Sequence, residues 1–225
     1  MKSHLLSFSA LALTAALAVP AAAQVSGIGV TDPAIAIASS QALGTAYQQI
    51  GATYAAQRTQ LEQLQGQRDA LVRQFDTDGD GQLSEAEQQA AQTNTTAVQQ
   101  LQTLDQTINQ TQAPIQLARI YVVEQIAMQY GTAVQQVVTA NNVSLILTPA
   151  SVIYAADAVD VTDEIVAQLN ALVPAASTSV PAGWQPQRQS IQLFQEVQQM
   201  LLTAAQQQAV QQQQSAAPQP AAPGR

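Results

Sequence analysis

The chain contains no cysteine, and its single lysine and single histidine lie among the first four residues. Residues 1–23 combine this positive start with an apolar stretch and end in three alanines, which is typical of a cleavable export signal. The apolar stretch, Leu5 to Val19, is too short to span a bilayer as a helix. We therefore predict a signal peptide over residues 1–23, a periplasmic location in a bacterium and no stable membrane insertion.

Cleavage would leave a chain without lysine, histidine or cysteine. Such a chain has no thiolate nucleophile, no serine–histidine pair, no Schiff-base lysine and no His or Cys metal ligand. Only carboxylates, hydroxyls and six arginines remain for chemistry. The sequence shows no pair of carboxylates placed for catalysis outside residues 76–87. We therefore predict that the protein is not an enzyme and binds no nucleotide.

Charged and aromatic side chains are also scarce, at 10% and 4% of the residues. Removal of residues 1–23 takes away Lys2, so six arginines face fifteen carboxylates and the net charge falls from −8 to −9. An acidic chain is a poor partner for nucleic acid and for anionic membrane surfaces, and we predict neither. The remainder is rich in Gln and Ala, which favours helices packed through small residues and Leu over a large globular core.

One apolar stripe runs along a long segment of the sequence at alternating steps of four and three residues. Its positions are Leu43, Tyr47, Ile50, Tyr54, Gln57, Leu61, Leu64, Arg68, Leu71 and Phe75. Only Gln57 and Arg68 among them are polar. A repeat of 3.5 residues held for this length predicts a helix that buries one face against a second helix. The helix is expected to begin at Asp32-Pro33 or at Ser39-Ser40.

A second helical stretch returns after a short acidic segment. Ser84 followed by Glu87 three residues later is a capping box, which predicts a helix start. Apolar residues then continue at helical spacing, interrupted by Pro114, which is expected to kink the helix or to begin a new one. Asn141-Asn142 is expected to end it. Residues 33–141 therefore predict a long antiparallel helical hairpin of coiled-coil type.

Short apolar segments on either side of the hairpin predict a small β-rich body made of residues 24–32 and 142–173. One strand is expected before Asp32, and two more, Val143 to Thr148 and Ser151 to Ala155, flank a turn. A short helix is expected to follow Asp160, with an inward face made of Ile165, Val166, Leu169, Leu172 and Val173. The predicted fold class is thus α+β, mostly α. Residues 174–225 predict a linker with the single Trp184, a Gln-rich helix and a disordered Ala/Pro-rich tail from Ser215 to Arg225.

The segment from Asp76 to Glu87 matches a twelve-residue EF-hand calcium loop, with Asp at positions 1, 3 and 5, Gly at 6, an apolar residue at 8 and Glu at 12. Calcium takes six to eight oxygen ligands, and the final Glu can give two of them. The predicted ligands are Asp76, Asp78, Asp80, Gln82 through its carbonyl, Ser84 directly or through water, and Glu87. A lone loop predicts weak binding, about 10⁻⁴ to 10⁻³ M, and a structural role.

A plain hairpin turn is the alternative interpretation of these residues. Asp-Gly pairs turn readily, and Ser84 with Glu87 can cap the next helix without any metal.

In the order of its elements the chain resembles the Skp/OmpH family of periplasmic chaperones. The most specific part is Val143-Ser-Leu-Ile-Leu-Thr-Pro-Ala-Ser-Val-Ile-Tyr-Ala followed by Asp160-Val-Thr-Asp-Glu-Ile-Val-Ala-Gln-Leu-Asn. Pro181-Ala-Gly-Trp and the Ala/Pro tail look like alphaproteobacterial members. The resemblance covers residues 25–173. It implies a homotrimer whose body carries three helical tentacles around a cavity, where unfolded outer-membrane proteins are held without ATP.

Two features depart from that family. Studied relatives are strongly basic, whereas this chain is acidic, so attraction of acidic clients by lysines is not expected. The calcium-type loop is the second departure. The leading hypothesis is a holdase for unfolded envelope proteins, and the alternative is a calcium-dependent envelope scaffold that reuses the fold. A third hypothesis, an enzyme, is disfavoured by the missing residue types.

Overall fold

A computed structural model describes residues 27–216, so the predicted signal peptide and most of the predicted disordered tail lie outside the described residues. The elements follow in this order: β1 Ile28–Val30, α1 Pro33–Ala38, α2 Gln41–Thr53, α3 Ala55–Arg73, α4 Glu85–Thr93, α5 Thr95–Asn141, β2 Leu145–Leu147, α6 Thr162–Leu172 and α7 Arg188–Ala216. Two short 3₁₀ turns, Pro149–Ser151 and Asp157–Val159, precede α6. The mostly helical fold class predicted from the sequence is confirmed.

Both helix starts predicted near the amino terminus are present. The Asp32 carboxylate accepts hydrogen bonds from the Ala34 and Ile35 amides at 2.8 and 3.2 Å, with Pro33 at the first helical position. The resulting helix α1 is only one and a half turns long. Ser40 then caps α2, because its hydroxyl accepts from the Leu43 amide at 3.3 Å. The ascending limb of the hairpin, α2 with α3, therefore begins at the second of the two predicted positions.

The ascending limb carries the predicted apolar stripe on its inner side. Leu43, Ile50 and Leu71 are buried, and most of the remaining stripe positions are half-buried. A local irregularity at Tyr54 separates α2 from α3. Hydrogen bonds still run through it, from the Tyr54 amide to the Ile50 carbonyl and from the Arg58 amide to the Tyr54 carbonyl, each 3.0 Å long.

Arg68 is the exposed member of the stripe, and it pairs with a carboxylate across the hairpin. Its Nε lies 2.8 Å from an Asp105 carboxylate oxygen, and the two side chains are 44% and 49% exposed. An ion pair this accessible contributes at most about 1 kcal/mol. It helps to set the register of the two limbs, while apolar burial holds them together.

The descending limb consists of α4 and α5, which meet at Asn94. The Asn94 side chain accepts from the Ala97 amide at 3.1 Å and starts a new helix there, a break that the sequence did not suggest. Pro114 lies inside α5, so the prediction that it could begin a new helix is wrong. Pro114 has no amide hydrogen to donate to the Gln110 carbonyl. Both residues are exposed, so water can hydrate this carbonyl. Asn142, at φ 52°, ends α5 as predicted.

The sheet contains two parallel strands, with Gly29 opposite Ile146. Parallel strands need a long crossover, and here the whole hairpin is that crossover. The prediction of a further strand at Ser151 to Ala155 is wrong. Val152 has an extended backbone, but nothing in residues 27–216 lies beside this segment as a strand partner. Ile153 and Tyr154 are instead 107% and 85% exposed.

The core lies where α1, α5, α6 and α7 meet. Its fully buried side chains include Ile37, Ile126, Ile165 and Val197, one from each of these helices. The predicted inward face of α6 is confirmed, since Ile165 and Leu169 are buried. Helix α7 is longer than predicted and includes Ser215, which was expected in the tail. Within residues 27–216 no helix has the length and apolar content that crossing a bilayer requires.

The core assignment predicts a contrast between two neighbouring apolar residues of α5. Ile126 is fully buried, whereas Met128 is 65% exposed. Ile126→Ala is expected to lower the free energy of unfolding by about 2–5 kcal/mol, because it leaves a cavity. Met128→Ala, the matched control, should change it by less than about 0.5 kcal/mol. Urea denaturation followed by circular dichroism measures both, and equal effects would contradict the assignment.

Candidate functional site

The acidic segment forms the turn of the hairpin, between the end of α3 and the start of α4. Gly79 and Gly81 have φ values of 73° and 82°, a left-handed conformation that glycine adopts without steric cost. The two Asp76 carboxylate oxygens accept from the amides of these glycines at 2.8 and 2.9 Å. Asp80 accepts in the same way from the Gln82 amide at 2.7 Å. The aspartates therefore organise the turn through the backbone.

Three carboxylates converge within this turn. Asp76, Asp78 and Asp80 each offer an oxygen atom, and the three atoms lie within 4.8 Å of one another. No other comparable group of acidic, His or Cys side chains occurs in the described part of the chain. Oxygen ligands at this spacing suit a hard divalent cation such as Ca²⁺. Three of the six predicted ligand residues thus lie beside one another, and the calcium site stays a prediction.

The electrostatics of the turn reflect this crowding. The Asp80 amide, which donates to Asp78 at 3.3 Å, lowers the pKa of Asp78. Partial desolvation, the charges of Asp80 and Glu87 and a contact with Asp76 act in the opposite direction and together raise that pKa above its ordinary value. A cation placed among these carboxylates would relieve the repulsion.

Glu87 is placed differently from the three aspartates. It is 7% exposed, and its two carboxylate oxygens have separate sets of donors. Oε1 accepts from the amide and the hydroxyl of Thr77, both at 2.6 Å, and Oε2 accepts from the amide and the hydroxyl of Ser84, both at 2.8 Å. The predicted capping box is confirmed. Both oxygens that the EF-hand pattern assigns to calcium are therefore occupied by protein donors.

These bonds also decide the acidity of Glu87. The Thr77 hydroxyl, followed by the amide and hydroxyl of Ser84, lowers the pKa of Glu87 to about 2. The role of Thr77 was not foreseen from the sequence. Its only sequence signal was a hydroxyl residue at the second position of the loop.

Two further surfaces stand out on the described residues. An open groove of about 550 Å³ lies between the limbs near the turn, lined by Gln67, Ala70, Leu71, Gln74, Thr96, Gln99, Gln100, Thr103 and Leu104. No charged residue lines it. The second surface is apolar and belongs to the body, where Leu145, Ile153 and Tyr154 are exposed.

Comparison with known proteins gives one family. The family model described as Outer membrane protein (OmpH-like) matches residues 27–169, which include both strands, the hairpin and most of α6. The chain is also similar to a solved structure from Caulobacter crescentus, described as an OmpH-like candidate outer membrane chaperone. That similarity has 22% identity, covers 68% of this chain and 89% of that chain, and has a TM-score of 0.39. No curated protein matches the chain.

The depressed pKa of Glu87 predicts a pH dependence of the turn in the presence of a chelator. A carboxylate whose folded pKa lies below its ordinary value of 4.5 stabilises the fold above that pH, and the contribution is lost as the pH falls towards about 2. The protection of the α4 amides, taken relative to intrinsic exchange at each pH, should therefore fall over this range. Glu87→Gln keeps one acceptor oxygen and does not titrate, so it should remove this component. Identical pH profiles for the two proteins would contradict the prediction.

Proposed function

The chain belongs to the OmpH-like outer membrane protein family, and from this membership we propose that it is an ATP-independent holdase chaperone of the periplasm for unfolded outer-membrane proteins. The observation that carries the proposal is the long hairpin on a small body. Helix α5 alone has 47 residues, which corresponds to about 70 Å. Such an arm offers a large surface to an extended chain without any catalytic group. No enzymatic activity is proposed.

The groove between the limbs suggests how a client is contacted. Its lining combines the apolar Leu71 and Leu104 with glutamine and threonine residues. Apolar side chains of a client can contact the leucines while the glutamine amides exchange hydrogen bonds with an exposed backbone. Because the lining is uncharged and the chain is acidic, we infer that holding depends on apolar and amide contacts. We do not expect this acidic chain to attract acidic clients by charge, as a basic chaperone would.

The apolar surface of the body supports assembly into a homotrimer. Ile153 and Tyr154 are almost fully exposed, and the Val152 backbone is extended at φ −126° and ψ 127°. Burial of one such side chain is worth about 1.5–3 kcal/mol. An extended apolar segment without a neighbouring strand can also pair with a strand of another chain. A second copy of this chain is the partner that the family suggests.

A calcium site in the hairpin turn is the second part of the proposal. We infer that Asp76, Asp78 and Asp80 form the ligand core, because their oxygens already converge. The Gln82 carbonyl and Ser84 would complete the set. Glu87 can ligate only by exchanging donors that it holds in the structure. The site would neutralise the turn, and a calcium-dependent scaffold is the alternative function that it favours.

The holdase proposal predicts that the mature protein is a trimer that suppresses aggregation of an unfolded β-barrel protein diluted from urea. Ile153→Asp should weaken assembly at least about tenfold, because it puts a charge where apolar burial is expected. Its suppression of aggregation should fall in parallel. Met128→Asp, at an exposed apolar site on α5, is the matched control. Light scattering measures mass and turbidity, and a monomeric wild type without suppression would overturn the proposal.

The calcium proposal predicts heat of binding with a dissociation constant of about 10⁻⁴ to 10⁻³ M. Asp78→Asn should weaken binding by about tenfold, because it removes one of the three converging carboxylates. Asp69→Asn makes the same charge change on α3 outside the loop and should bind like wild type. Titration calorimetry provides the comparison. Absence of binding by wild type, or equal loss in both variants, would leave a plain turn. Client binding that vanishes with EDTA would favour the scaffold.

A further inference from the structure

The family match ends at residue 169, yet the chain beyond it remains packed against the body. We name residues 174–201 the strap. Val197 of the strap is fully buried, and Phe194 and Met200 pack against the core. The second half of the strap, from Arg188 onward, is the first part of α7. Helix α7 lies against both α1 and α5. The strap is therefore part of the folded body.

The first half of the strap contacts one turn of α5, around Tyr121 to Gln125. The Gln125 side-chain amide makes two hydrogen bonds with the Ser177 backbone. Its Nε2 donates to the Ser177 carbonyl at 2.9 Å, and its Oε1 accepts from the Ser177 amide at 3.0 Å, as in the pairing of two backbone strands. The Trp184 ring meets the Tyr121 ring edge-on, with centroids 5.0 Å apart. These contacts hold the strap in one register on α5.

Glu124, on the same turn, is a buried carboxylate, and among residues 27–216 its hydrogen-bond donors come from the strap. It is 9% exposed, and its Oε1 accepts from the Trp184 indole at 3.0 Å while Oε2 accepts from the Ser190 hydroxyl. No salt bridge in the described part of the chain involves it. Hydrogen bonds to a charged acceptor are stronger than those between neutral groups. Detachment of the strap would exchange both bonds for hydration of the Glu124 carboxylate and would remove their contribution to the closed state.

The second half of the strap reaches the root of the hairpin. Gln198 donates to the Tyr47 hydroxyl at 3.2 Å, and the Arg119 guanidinium lies 5.5 Å from the centre of the Tyr47 ring. Tyr47 belongs to α2 and Arg119 to α5, so one side chain of α7 contacts the place where both limbs leave the body. Burial raises the pKa of Tyr47 to about 12, so its hydroxyl stays protonated.

We propose that the strap fixes the root of the hairpin to the body, with Glu124 as the positioning residue that holds the strap closed. The strap contacts three places whose relative positions set the direction of the hairpin. They are the α5 turn at Glu124, the core face of α1, and Tyr47 on the ascending limb. Without it, α2 would keep its packing against α5 but would lose the bond between Gln198 and Tyr47 that ties this limb to α7. This role depends on neither calcium nor client binding.

The single Trp184 provides a direct reporter for the experiment, because it lies within the contact that is tested. Glu124→Ala is expected to shift Trp184 emission to longer wavelength and to speed exchange of the 188–201 amides about tenfold. Amides around Tyr47 and Arg119 should lose protection too, while those near the turn of the hairpin keep theirs. Glu124→Gln retains an acceptor for Trp184 and should restore most of the protection. Glu62→Ala removes an exposed carboxylate of α3 and should change nothing.

Two results would overturn the proposal. Unchanged Trp184 emission and α7 exchange in Glu124→Ala would show that the carboxylate does not hold the strap. Faster exchange in α7 with full protection around Tyr47 would show that the strap covers the body without fixing the hairpin. If Glu124→Ala fails to fold, Ser190→Ala and Trp184→Phe each remove one donor only, and exchange in these variants decides between the same outcomes.

Discussion

The packing of the apolar stripe between the two limbs is the contact on which the rest of the structure depends. The limbs are long, poor in charge and rich in glutamine, so side-chain hydrogen bonds and ion pairs cannot hold them together. The cross-limb ion pair of Arg68 is too exposed to contribute much. Leu43, Ile50 and Leu71 instead remove apolar area from water along the whole length. Isolated helices of this composition would be only marginally stable in water.

Both ends of the molecule follow from this packing. At one end, the closed limbs bring Asp76 and Glu87 to a single turn, which the side chains then organise by accepting backbone amides. At the other end, the hairpin returns the chain to β1 and lets β2 pair with it in parallel. A sheet of two three-residue strands has little stability of its own. It persists because Ile146 packs against the core and the Val161 amide donates to the Val30 carbonyl.

The features that could be predicted from the sequence are those with local causes. The repeat of 3.5 residues, the Asp32 cap, the Ser84–Glu87 capping box and the Asn142 stop each depend on residues within a few positions of one another. Two failures were also local, namely the unforeseen Asn94 cap and the continuation of α5 through Pro114. The other incorrect or missing predictions concern contacts between distant residues. A strand at Ser151 to Ala155 requires a partner edge, which sequence spacing does not reveal.

The contacts of the strap show the same limit. Glu124 is separated by about sixty residues from the indole that it binds, and no periodicity links them. In the sequence it is one acidic residue on a helix. Its burial and the origin of its donors emerge only when α7 lies against α5. The same holds for Tyr47, whose place in the stripe predicted packing but not its bond with Gln198.

The turn of the hairpin shows why a sequence pattern and a binding site are different things. A calcium ion competes for carboxylates that already have donors: Asp76 with two glycine amides, and Glu87 with Thr77 and Ser84. These bonds organise the loop through protein donors, which lowers the entropy that binding would cost. The same bonds must be shared or exchanged when the ion enters, which reduces the gain in energy. Preorganisation favours calcium ligation by the aspartates, whereas the existing hydrogen bonds of Glu87 oppose ligation by that residue. Weak affinity for calcium is the expected result.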